Sequence, residues 1–178
     1  LRLDDGDLQR LRQLGEAINY NAYGDTVDDL HYHPADLFET LRAYRDPRDF
    51  INHEPVFEVL WNALLDELGC AEALAPEFER GECALYVLPD AAWSRRIHGY
   101  FGNQLAQERP ERAHALLVRK AGGYIVSVRA PIERPHGADA LCLKFETGGG
   151  RKAAAGINLL PESELKRFVA EFEKAFPA

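Results

Sequence analysis

The run GGGRKAAAG, Gly148 to Gly156, constrains this chain more than any other stretch. Consecutive glycines admit positive φ and let another group come close to the backbone. A turn built this way aims several N–H groups into one concavity, which suits an anion. Arg151 adds a planar fork of donors and Lys152 a point charge. Gly148, Gly149, Gly150, Arg151 and Lys152 are therefore the first candidate contacts to a phosphate. The small residues of AAAGINLL suit a backbone that passes under a ligand and then enters a strand. The alternative is a purely structural glycine turn between an acidic helix end and a strand.

The rest of the chain places this loop in an α/β frame. Leu8, Leu11, Gly15 and Ile18 recur at helical spacing, with Asp7 placed to cap and a stop expected near Gly24. Ala35 to Tyr44 predicts a second helix behind Pro34, with Leu37, Phe38 and Leu41 on one face. Pro55 opens a third through Leu68, with Gly69 as the residue that ends it. Ala71 to Glu82 reads as a linker or a continued helix. The texture changes at Cys83. ALYVLP predicts a buried strand, and Ala91 to Arg109 a helix capped by Asp90. Ala113 to Lys120 and Tyr124 to Pro131 predict a hairpin. Asp139 to Phe145 predicts a short helix, AGINLL a strand, and the residues after Pro161 a final helix facing inward through Leu165, Phe168, Val169 and Phe172. The expectation is a helical region over residues 1–80 and a mixed-sheet α/β domain over residues 81–178, in the order β-α-β-β-α-β-α.

Composition removes several classes. The net charge of −8 argues against a general nucleic-acid coat protein and leaves room for a local basic pocket. No apolar run is long enough for a membrane span, and LRLDDGDL has no signal-peptide core. Cys70, Cys83 and Cys142 are scattered and form no CxxC, so they read as reduced packing thiols of a cytoplasmic protein. The chain begins at Leu1 and contains no methionine, which suggests a piece of a longer protein.

Few residues outside the glycine run carry chemistry. In YIVSVRAP, alternation sets Val126 and Val128 on one face and Ser127 and Arg129 on the other. A serine beside an arginine makes a small anion-recognition pair, against the alternative of a solvated strand face. Asn103 follows Gly102 within a helix, which marks close packing on the sheet or, alternatively, a ligand-contacting amide. Arg95 and Arg96 read as solvated surface. His31 and His33 read as a polar turn before Pro34, His53 as a helix start, and His98, His114 and His136 as isolated. No metal site is assigned, there is no GxSxG, and no cysteine lies in an evidently electropositive setting.

GGGRKAAAG, with SVRAP before it and a strand and amphipathic helix after it, resembles the C-terminal DHH-associated domain of the Asp-His-His phosphoesterases. These include RecJ-like nucleases, nanoRNases, cyclic-dinucleotide phosphodiesterases and exopolyphosphatase relatives. The resemblance covers Ala84 to Phe176. INYNAYGDTVDDLHYHP and RDPRDF also resemble the helical region after the catalytic domain in one bacterial subgroup. The usual family loop is GGG-His, and Arg151 stands at the histidine position. The resemblance implies a preceding domain with two manganese ions, since no Asp-His-His motif occurs here and no cofactor is expected within this chain. It implies that Arg129, Gly149, Gly150 and Arg151 contact a substrate phosphate or terminal nucleotide. The expected ligand is a short oligonucleotide or other small phosphorylated substrate, whose phosphodiester or phosphoanhydride bonds the intact hydrolase would cleave. No membrane partner is expected, and a homodimer is left open. The alternative is a non-catalytic nucleotide- or nucleic-acid-binding module.

Overall fold

The computed structural model describes residues 3–177; Leu1, from which the sequence suggests a preceding segment, lies outside them. Four helices come first: α1 (Asp5–Tyr20), α2 (Pro34–Arg42), α3 (Pro47–His53) and α4 (Pro55–Glu72). All four open on proline or just behind an aspartate, as unsatisfied first-turn N–H groups favour. The cap of α1 is Asp4, which accepts from the Asp7 amide; Asp7 itself lies within the first turn. Pro47 starts a further helix, α3, so His53 closes a helix instead of opening one. Gly69 does not end α4, which runs on to Glu72 because Leu64 and Ala71 are both fully buried across it.

The remainder is one six-stranded mixed sheet: β1 (Phe78–Arg80), β2 (Cys83–Leu88), β3 (Ala113–Lys120), β4 (Gly123–Arg129), β5 (Gly148–Arg151) and β6 (Ala154–Pro161). Its order is β1-β2-β3-β4-β6-β5, with β2 and β3 parallel and the other pairs antiparallel. The crossover between the parallel pair is α5 (Ala92–Glu108), as parallel strands require. A short α6 (Ala138–Cys142) and a terminal α7 (Leu165–Ala175) complete the α/β fold. Two strands come from segments with no strand pattern in sequence. β1 arises from the expected linker, and β5 is the expected glycine loop itself.

The two faces of the sheet are covered unequally. One face packs on α6 and α7, where Phe168, Phe172 and Phe176 meet Leu85, Ala115, Leu117, Val126 and Val128. Leu165 and Val169 lie against the same core, as their spacing predicts. On the other face α5 brings Ile97, Phe101 and Leu105 onto Leu116 and Val118. Tyr20 and Leu64 join that second cluster, so α1 and α4 seat on the sheet through α5. A third cluster binds the four N-terminal helices together through Phe50, Phe57 and Leu60. Phe38, expected on the inner face of α2, is exposed, while Leu37 is buried.

Candidate functional site

α5 covers β3 and β4 and leaves β6 and β5 open on its side of the sheet. Strand alternation sends Ser127 and Arg129 to this side, as their spacing predicts, and their cross-strand neighbours follow. Gly156 and then Gly149 stand beside Ser127; Ala154 and then Arg151 stand beside Arg129. The floor beside the arginine is therefore nearly free of side chains. A Cβ at Gly149 would meet open space, and Arg151 and Asn158 are exposed.

Arg129 is the centre of this surface. Its Nε donates to Asn103 Oδ1 at 2.8 Å, and one terminal nitrogen donates to Ser127 Oγ at 2.8 Å. The other reaches the Gly99 carbonyl at 3.4 Å. Every partner is a neutral oxygen, and among the described residues no carboxylate pairs with it. Burial, followed by the smaller effect of Arg151, pulls its pKa below the usual guanidinium value, while Tyr23 opposes the shift. A half-buried cation held by dipoles has its geometry fixed and its charge uncancelled, which is the arrangement an anion site needs. Gly102 makes the arrangement fit. A Cβ there would come within 3.2 Å of Leu116 Cδ1 and 3.8 Å of Arg129 Cγ. Close packing at Gly102 is thus one of the two readings of this pair, and the Asn103 amide lies beside Arg129.

Ser127, Arg129 and Asn103 are brought into direct contact. Gly149 and Arg151 lie on the same open side, two strands from Arg129, roughly 10 Å away by inter-strand spacing. Lys152 is exposed in the β5–β6 turn, and its carbonyl accepts from the Ala138 amide. Gly148 and Gly150 do something different from the nest expected of them. The expected loop is strand β5, paired from Gly148 with Ile157 to Arg151 with Ala154. Gly148 turns toward α6, where a Cβ would fall 1.8 Å from the Cys142 carbonyl. Gly150 has φ 141° and lies against the Ala155 backbone. Gly148 lets an edge strand press on α6, and Gly150 lets it lie close against β6.

Sequence reasoning missed two histidines near this face. His98 Nδ1 bonds the Arg95 carbonyl at 2.8 Å, and its ring meets Tyr23 edge-on. Burial and, more weakly, Arg129 lower its pKa, although bonds to backbone carbonyls work the other way. His114 pairs across the ladder with Arg129, is almost wholly buried, and has an unpartnered Nδ1; burial pulls it down to about 4. The spacing of Gly99, Gly102 and Asn103 on α5 was the one available signal that this helix approaches the sheet closely.

The other cations read as surface are structural. Arg96 is buried and pairs with Glu67, while its guanidinium also reaches the Asp29 carbonyl. Arg95 binds both Asp29 oxygens at 2.9 Å and holds that carboxyl well below the usual range. Both partners lie far off in sequence, which is why a surface reading was natural. His31 joins the same network through Tyr20 and Glu67, and His33 caps α2. Cys83 and Cys142 are buried, with pKa values pushed up to about 11 and about 12 by burial, whereas Cys70 is exposed. Among the described residues, no group of three or more His, Cys, Asp or Glu could hold a metal ion. No helix among them is long and apolar enough to cross a membrane.

No protein-family model matches the sequence, and no curated protein matches it. Solved structures do resemble it. A pGpG-specific phosphodiesterase, PggH, from Vibrio cholerae superposes with a TM-score of 0.56 at 14% identity, over 82% of this chain and 52% of that one. An exopolyphosphatase-related protein from Bacteroides fragilis gives 0.49 at 18% identity, over 79% and 41%. A DHH domain described as a member of the s1p family of ribosomal proteins gives 0.46 at 14% identity, over 97% and 42%. The chain thus spans about half the length of PggH. At these identities the likeness concerns architecture alone: this chain shares its fold with part of PggH.

Proposed function

We propose that this chain is the substrate-binding part of a DHH-type phosphoesterase that hydrolyses phosphodiester or phosphoanhydride bonds of small phosphorylated substrates, short oligonucleotides among them. The observation that carries the reading is Arg129, a guanidinium held by Asn103, Ser127 and Gly99 with no carboxylate among the described residues to neutralise it. An arginine fork fixed beside an open, glycine-floored strand presents donors to a phosphate. Arg151, two strands away, adds a second positive charge on the same side. The shared architecture with PggH is consistent with this reading.

The described residues do not fit a manganese centre; in this proposal the metal ions belong to a catalytic domain, as in the DHH family. Asn103 and Ser127 position Arg129, and Arg129 with Arg151 orients the scissile phosphate toward that domain.

Titration of a 5′-phosphorylated dinucleotide into the chain, followed by NMR shifts of Arg129 and Asn103, tests the reading. Saturable shifts that vanish in Arg129→Ala are expected. Binding that is unchanged in Arg129→Ala overturns it. Robust manganese-dependent turnover by the purified chain alone, abolished by EDTA, would refute the division of labour between binding and catalysis.

A further inference from the structure

His98 stands next to the cage of Arg129 and takes no part in it. It precedes Gly99, whose carbonyl accepts from Arg129. His98 Nδ1 lies 2.8 Å from the Arg95 carbonyl. A carbonyl oxygen only accepts, so the single proton of the neutral ring sits on Nδ1. Nε2 then carries a bare lone pair and bonds to no other described residue. The ring lines a cavity of about 290 Å³ together with Tyr23, Ile125 and Asn158. Ile125 shares its strand face with Ser127 and Arg129. This cavity therefore continues the open surface from Arg129 toward the β3–β4 turn.

The charges around the ring are paired with one exception. Arg95, on the same helix, is held by Asp29 and Asp90. Lys120, from the β3–β4 turn, pairs with Asp25, from the turn after α1, and both line the same cavity. Tyr23 meets the ring edge-on with its phenol, and Ile125 and Asn158 carry no charge. Arg129 is the cation left without a carboxylate among the described residues. Burial first, and then Arg129, hold the imidazole pKa below its ordinary value, against the pull of the Arg95 and Ser94 carbonyls and of Asp25. Protonating the ring would set a second cation beside an uncancelled first. An anion on Arg129 removes that obstacle.

Resting on the phosphate-site reading above, we infer that His98 is a proton-linked ligand of the anion on Arg129: a tetrahedral dianion bound there draws a proton from solvent onto Nε2, and the imidazolium joins the guanidinium in holding it. The bond from Nδ1–H to the Arg95 carbonyl is the same in both forms, so only one atom of the ring changes its role. The linkage is reciprocal. An anion that makes the ring more basic is itself bound more tightly as pH falls.

Inorganic sulfate is the probe, because it keeps two charges across the range in which a phosphate monoester titrates. It is titrated into the 178-residue chain at fixed ionic strength, from about pH 8 to about pH 5. Affinity is expected to rise about fivefold or more toward the acid end. His98→Gln, which cannot take up the proton, should reduce that rise to about twofold or less. NMR titration of the His98 ring gives a readout that needs no variant at His98. Saturating sulfate should move its midpoint to higher pH in the wild-type chain and leave it unmoved in Arg129→Ala. A wild-type midpoint indifferent to sulfate, or a rise in affinity that persists in His98→Gln, overturns the role of His98. The phosphate-site reading would still stand if Arg129→Ala abolished sulfate binding at every pH. Absence of sulfate binding at every pH, at tens of millimolar, overturns both.

Discussion

Two arginines, one buried and one half-buried, lie along α5 and meet opposite fates. Arg96, on the side facing the helical region, is neutralised by Glu67 and tied to the Asp29 carbonyl. Arg129 reaches the same helix from β4, at Gly99 and Asn103, and is tied to neutral oxygens alone. The first cation belongs to the architecture, because its charge is cancelled where it lies. The second is left electrically unfinished. Burial alone therefore does not separate a structural cation from a functional one; the charge state of its partners does.

Glu67→Ala tests the structural half and should have the largest effect. It leaves Arg96 buried without its carboxylate, at a cost of about 3–5 kcal/mol. Urea unfolding reads this directly, and a loss under about 1 kcal/mol would mean that Arg96 finds another partner.

The acid limb of stability sharpens the comparison at His114, the neighbour of Arg129 on β3. Its pKa is about 4 in the fold, against 6.5 in the unfolded chain, so the unfolded state binds the proton first. The stabilisation is complete above pH 6.5 and is lost as pH falls toward 4, to a total of about 3 kcal/mol. His98 contributes in the same direction. His114→Gln should flatten the dependence of Tm on pH across that window, and an unaltered profile would assign the loss to other groups.

Arg129→Ala tests the functional half. A charge-assisted hydrogen bond contributes about 1.5–3 kcal/mol, so affinity for a mononucleotide should fall about tenfold or more. Stability should change little or rise, since the substitution removes an uncancelled buried charge. A large loss of Tm would place Arg129 with Arg96 and erase the contrast.

Arg151→Ala should have the smallest effect, about threefold in affinity, because an exposed charge is screened. The salt dependence should be shallow, with a log–log slope between about −1 and −2 for one to a few phosphates. A steep slope, with a long oligonucleotide bound far more tightly than a dinucleotide, would favour an extended strand as ligand.

Period-2 alternation made Ser127 and Arg129 legible, because a strand leaves its side chains no other choice of face. The α5 stripe of Ile97, Phe101 and Leu105 was legible for the same reason at period 3.6. The β5 strand was not. Glycines signal turns through their own freedom, and here Gly148 serves a contact with the Cys142 carbonyl, which local sequence does not encode. β1 is three residues long on an edge and has no pattern to show. The roles of Arg95 and Arg96 depend on Asp29 and Glu67, which only tertiary folding delivers. The site is thus half legible: Ser127 and Arg129 follow from alternation and Asn103 from its place after a mid-helix glycine, while the Gly99 contact arrives through packing.

The cage around Arg129 also bears on when disorder is lost. A free arginine side chain samples many rotamers, and freezing one costs about 2 kcal/mol. Asn103, Ser127 and Gly99 immobilise this one as the chain folds, before any ligand arrives. An incoming phosphate then meets a rigid fork and spends none of its interaction energy on ordering it. Lysine at the same position would keep the charge and lose that advantage, because its flexible stem has no planar fork for three neutral oxygens to hold.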